Sequence, residues 1–191
     1  MAAATRSTAI HAIASTVAST EEVHAAFTEH REELAWLAGF LIGDEEVAAA
    51  CIIDARALAE NKGNVFQEWH WTSARDGAIR SALDIQRAQI GRLSCVYDRY
   101  DCIHVEHKAL PVEVLEFMVR ESSSIRLRLD TICRFVLVLC GLENCRSRQV
   151  AQLLGISEHA VEAAYCAAID SLDVMRSQAI VDSYGYAAAY N

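Results

Sequence analysis

Proline is nearly absent from this sequence, with one in 191 residues, and glycine is sparse at eight. Few positions therefore force the chain out of a helix. Segments alternating between apolar and polar residues are also lacking, so half-buried strands are not expected and the class is all-α. Positive charge is in deficit: 17 Lys and Arg against 26 Asp and Glu give a formal net charge of −9, the wrong sign for a general polyanion binder. No apolar run is long enough to span a bilayer, and the opening MAAATRSTAIHAIASTVAST lacks the sustained apolar core of a secretory signal. The seven cysteines, at 51, 95, 102, 133, 140, 145 and 166, include no CxxC pair. Most lie in apolar helical runs, so the expectation is reduced, buried thiols in a cytoplasmic protein. No glycine-rich phosphate loop, HxxEH or serine elbow occurs, and the single cysteines lack a cationic neighbourhood that would lower their pKa, so neither an enzyme nor a bound cofactor is expected.

What is present is apolar surface. Hydrophobic residues make up 53% and charged residues 23%, enough for packed cores and against wholesale disorder. Thr20 followed by Glu21 and Glu22 reads as a capped helix start. Leu34, Leu37, Ala38 and Leu41 recur on one face, and Gly43 closes that helix. Asp44 starts a second, with Cys51, Ile52, Ala55 and Leu58 turned inward, and NKGN at 61–64 breaks it. A third helix is expected from near Val65 to Gly91, bent at Gly77, with Ile79, Leu83 and Ile90 inside. Residues 21–92 thus read as a helical bundle, preceded by a flexible tail over 1–20. The stretch 93–111 lacks a clean period and ends in the only proline, which reads as a linker. A second helical domain over 112–176 would hold a short helix at Val112–Arg120, a serine-capped helix from Ile125 to Leu142, and a closing helix pair. The tail 177–191 reads as a loose end.

That closing pair has helix-turn-helix spacing: Ala151, then Gly155 four residues later, then Val161 six later. A small residue at 151 lets the helices cross closely, and Gly155 supplies a left-handed turn. Val161 fills the wedge with Val150, Leu154 and Ile156, and Ser157 suits the cap of the second helix. An ordinary helical hairpin with a glycine turn has the same features.

FVLVLCGLENCRSRQVAQLLGISEHAV resembles region four of the extracytoplasmic-function sigma factors through Glu143, Val150, Ala151, Leu154, Gly155, Ile156, Ser157 and Val161. HREELAWLAGFLIGDEEVAAACIIDARALA resembles region two, with Leu34, Ala38, Leu41, Gly43, Asp44 and Ala48 in register, as does FQEWHWTSARDGAI through Phe66, Trp69, Ala74, Arg75, Ala78 and Ile79. The resemblance implies a transcription-initiation protein that binds RNA polymerase core and contacts promoter DNA weakly. It departs from the family where Asn144 replaces a glycine and where Glu162, Ala164, Ala167 and Ile169 replace basic positions. It would put Arg146, Arg148, Ser157, Glu158, His159, Glu162 and Tyr165 towards duplex DNA. It would put Trp69, Trp71, Arg75, Arg80 and Arg87 towards melted single strands, by phosphate contact and base stacking. Taken singly, such tryptophans also suit a core and such arginines a solvated face. The alternative function is a sigma mimic that binds an anti-sigma protein or a polymerase subunit without reading DNA. It is motivated by the uncharged second helix and by ten acids against Arg31 and Arg56 from Glu21 to Asn61. Cys95, Cys102, His104 and His107 match no common zinc spacing, so no metal site is expected.

Overall fold

A computed structural model describes residues 20–62, 70–100 and 110–189. Among them the protein is all-α, with no strand. The elements are α1 (Thr20–Glu29), α2 (Arg31–Ile42), α3 (Glu45–Lys62), α4 (His70–Tyr97), α5 (Val112–Arg120), α6 (Ser122–Arg128) and α7 (Thr131–Val136). A π-helical continuation of α7 (Leu137–Leu142) leads to α8 (Ser147–Leu154) and α9 (Glu158–Ala189).

The first half follows its pattern closely. Gly43 is left-handed at φ 85°, and its N–H returns to the Gly39 carbonyl to close α2. Asp44 Oδ1 accepts the Val47 amide at 3.0 Å and opens α3. Leu34, Leu37, Ala38 and Leu41 of α2 pack with Cys51 and Ala55 of α3 and with Ala78, Ile79, Leu83 and Ile90 of α4. Three expectations need correction. The first helix is interrupted at His30, whose ψ of 23° separates α1 from α2. Leu58 is exposed, because the inner face of α3 is narrow and already filled by Ala48, Cys51 and Ala55. The third helix continues through Gly77 and past Gly91 to Tyr97, so the boundary expected at Arg92 falls inside α4.

In the second half α5 has its expected bounds, but Ile125–Leu142 is not one serine-capped helix. Leu129 turns extended, at ψ 130°, and ends α6. Asp130 then caps α7, its Oδ1 accepting the Cys133 amide at 2.9 Å. Every residue from Thr131 to Gly141 is buried, including Phe135, Val136 and Leu137. A helix that is apolar all round belongs in a core, and α7 with its continuation is that core. α9 runs as a helix to Ala189, into the stretch expected to be a loose end.

The two halves meet directly. Tyr97, at the end of α4, donates to Asp130 Oδ2 at 2.7 Å and lies 3.0 Å from Cys133 Sγ. Arg126 Nη1 reaches the Gly39 carbonyl at 3.4 Å, at the negative end of α2's dipole. Arg134 also stands there: it is 7% exposed and donates to Thr131 Oγ1 at 3.1 Å, while its Nε has no hydrogen-bond partner. A Cβ at Gly43 would sit 2.6 Å from Arg134 Nη1. The glycine is thus required for its φ, and a side chain there would also have to displace the end of the Arg134 side chain. The buried side chains of both halves form one continuous cluster.

Candidate functional site

The turn between α8 and α9 forms as its residues dictate. Gly155 adopts φ 71° and ψ 35°, and its N–H and that of Ile156 both return to the Ala151 carbonyl, at 2.9 and 3.1 Å. Val150, Ala151, Leu154 and Val161 are buried in the wedge and Ile156 is half-buried. Ser157 Oγ accepts the Ala160 amide at 2.9 Å and caps α9. At the start of α8 the Gln149 side chain accepts the Arg146 amide at 3.0 Å, half of a capping box. Asn144 has φ 52°, the one positive φ outside glycine among the described residues. Asparagine tolerates the left-handed region better than most residues, which explains how it stands where the sigma-factor pattern has glycine.

The surface offered by that frame differs from the expectation. Arg146 and Arg148 are exposed at the entrance to α8, with Gln149 and Gln152 beside them, and Glu158 and His159 are exposed in the first turn of α9. Beyond that turn α9 sinks into the protein. Ala160, Val161, Ala163, Ala164 and Ala168 are 0% exposed, Tyr165 is 2% exposed and Glu162 is half-buried. Tyr165 is therefore a core residue, not a DNA contact; burial pushes its phenol above the usual range, with Cys140 adding to the shift. Ala164 does not face out either, and its carbonyl takes the Cys133 thiol at 3.4 Å. Packing against α7 on one side and against α4 and α8 on others covers the helix nearly all round. Ser157 also donates to Asp98 at the end of α4, so an acid of the first half already occupies the positive end of α9.

The expected single-strand patch is only partly assembled. Arg80 and Arg87 are exposed on α4, the latter 3.1 Å from Asp84. Arg75 instead pairs with Glu143, across the two halves, which withdraws it from any phosphate. Of Trp71 the helical backbone alone is described; Trp69, Cys102, His104 and His107 lie outside the described residues. Cys95 is exposed and donates to the Arg92 carbonyl at 3.2 Å. No cluster able to hold a metal occurs among the described residues. Burial pushes the Cys133 and Cys140 thiols up to about 12, so neither is a ready nucleophile at neutral pH. The expectation of free thiols fails at Cys166, which is disulfide-bonded, while Cys51, Cys95, Cys133, Cys140 and Cys145 are free. No helix among the described residues is long and apolar enough to cross a membrane.

Sequence reasoning missed an apolar concavity beside these elements. A cavity of about 370 Å³ opens between α2 and α5, walled by Trp36, Leu37, Leu115, Met118, Val119 and Leu142. Glu32 and Glu33 stand on its rim. The signal was in α5: Val114, Phe117 and Met118 form its inner face, and Val112, Leu115 and Val119 form a second apolar stripe at helical spacing, left partly or wholly exposed.

Comparison of the chain with known proteins finds no matching family model, no matching curated protein and no matching solved structure.

Proposed function

We propose that the protein is a regulator built like the sigma factors it resembles, which acts by binding RNA polymerase core or an anti-sigma protein and not by reading promoter DNA. The observation that carries this reading is the enclosure of α9 from Ala160 to Ala168, directly after its first turn. Base readout needs side chains that project into a groove, and phosphate contacts supply most of the affinity. From Ala160 to Ala168, the part that would follow the turn into a groove, this helix offers half-buried Glu162 and a ring of buried alanines. The missing basic residues then have a packing reason: Ala164 is in the core, and Glu162, Ala167 and Ile169 are half-buried. Support for the sigma-like build comes from the turn at Gly155, the αL backbone at Asn144 and the Gly43–Asp44 helix junction.

A second reading keeps weak, polymerase-tethered DNA contact. The exposed Arg146 and Arg148 favour it, since tethering raises local concentration and tolerates few contacts. Pull-down with purified polymerase core, followed by run-off transcription, separates the two. Stable association without dependent transcripts is the expected result. Transcripts that require the protein and vanish in Arg146→Ala/Arg148→Ala would establish the second reading. Absence of any association would remove the second reading and the polymerase branch of the first, leaving an anti-sigma protein as the partner.

A further inference from the structure

We propose that the cavity between α2 and α5 is a docking groove for an amphipathic helix of a partner protein, one with apolar anchors on one face and Lys or Arg beside them. This deepens the protein-binding reading above by naming the surface and the chemistry of the partner. The floor is apolar, made by Leu37, Met118 and Leu142, and the Trp36 ring, stacked on Phe40 with centroids 5.4 Å apart, forms one wall. The opposite wall is the second apolar stripe of α5, where Val119 is 61% exposed and thus lacks a packing partner in the described chain.

The walls decide the shape of the occupant. Both are helices whose backbone groups are already spent on their own hydrogen bonds, and no strand edge borders the groove among the described residues. An extended peptide would bury its amides and carbonyls here unpaired, whereas a helix satisfies them internally. The rim decides the charge. Glu33 is 65% exposed and Glu32 is exposed beside it, while the one cation lining the groove, Arg75, pairs with Glu143. A second copy of this chain is disfavoured, because its net charge is −9 and its own exposed α5 stripe is flanked by Glu113 and Glu116. A small apolar ligand would leave the acidic rim without a role.

The test is calorimetric titration of the intact protein with two synthetic amphipathic helices of about 15 residues. Both carry leucines at i, i+3, i+4 and i+7; one has lysines at its flanking positions and the other glutamates. The lysine peptide is expected to bind at least about tenfold tighter than the glutamate peptide. Val119→Arg removes an anchor at an exposed site and should weaken the lysine peptide about tenfold, with circular dichroism unchanged. Glu33→Lys should narrow the gap between the peptides. Equal affinities, no detectable binding, or insensitivity to Val119→Arg would overturn the proposal. So would an apolar dye that fills the groove and is not displaced by the lysine peptide, which would give the cavity to a small ligand. Because no polymerase is present, failure here leaves the polymerase pull-down result standing, and failure of that pull-down leaves the groove standing.

Discussion

α8 and α9 are consecutive helices joined at the Gly155 turn, yet they live in different media. α8 is two-faced: Val150, Ala151 and Leu154 are buried while Arg148, Gln149 and Gln152 meet water. α9 meets water at Glu158 and His159 and is then enclosed through Ala168. The geometry of the turn between them is local, whereas function depends on which face the rest of the chain leaves open. A glycine turn between two helices is therefore compatible with a second helix that serves as core.

The largest effects should come from forcing α9 to behave like α8. Ala164→Arg places a charge at a site with 0% exposure and should cost about 4 kcal/mol or prevent folding, measured by urea unfolding. Gln152→Arg, on the open face of α8, should stay within about 0.5 kcal/mol of the parent. Equal tolerance at the two sites would break the contrast.

The two glycine turns sharpen it. Gly43→Ala combines a left-handed φ with the Arg134 guanidinium in the way, and should cost about 2–3 kcal/mol. Gly155→Ala meets no atom within 4 Å and should cost about 1 kcal/mol, from backbone strain alone. A reversal of that order in denaturant midpoints would mean that the seam between the halves is looser than described.

The seam also has a pH signature. The Cys133 thiol is raised from 9.0 to about 12, mainly by burial and then by Asp130, and burial with its Cys133 and Asp130 partners raises the Tyr97 phenol as well. Raised acids of this kind contribute stability that is whole below their ordinary pKa and is lost as pH climbs towards the folded value. Stability should thus fall from about pH 9 towards pH 12, by at most about 1.4 kcal/mol per pH unit for each group. Tyr97→Phe with Cys133→Ala should flatten that slope. An unchanged slope in the double variant would remove this cluster as its source.

Local signals carried much of the fold. The Gly43–Asp44 junction, the bounds of α5 and the Ala151–Gly155–Ser157–Val161 frame are each written in a few adjacent residues. What sequence left hidden is set at long range. The Arg75 partner is Glu143, 68 residues away. The break at Leu129 falls between the alternating Ile125–Leu129 stretch and the apolar run that begins at Ile132, and only Asp130, a good cap, marks it. The resemblance put Tyr165 towards DNA and Ala164 at a basic position, which assumes a helix with one open face, whereas α9 has several neighbours. The stretch from Ala160 to Ala168, apolar all round save Glu162, was the available clue that the helix is core.

The claim that α9 is a core helix and not a reading helix is tested most directly by titrating duplex DNA with the protein over a salt series. Each phosphate contact contributes about one unit to the log–log slope, so contact through Arg146 and Arg148 predicts a slope of about two at most, without sequence preference. Arg146→Ala/Arg148→Ala should bring it near zero. Sequence-dependent affinity with a steep slope, lost when Glu158 and His159 are changed to alanine, would put α9 on the DNA and contradict the account.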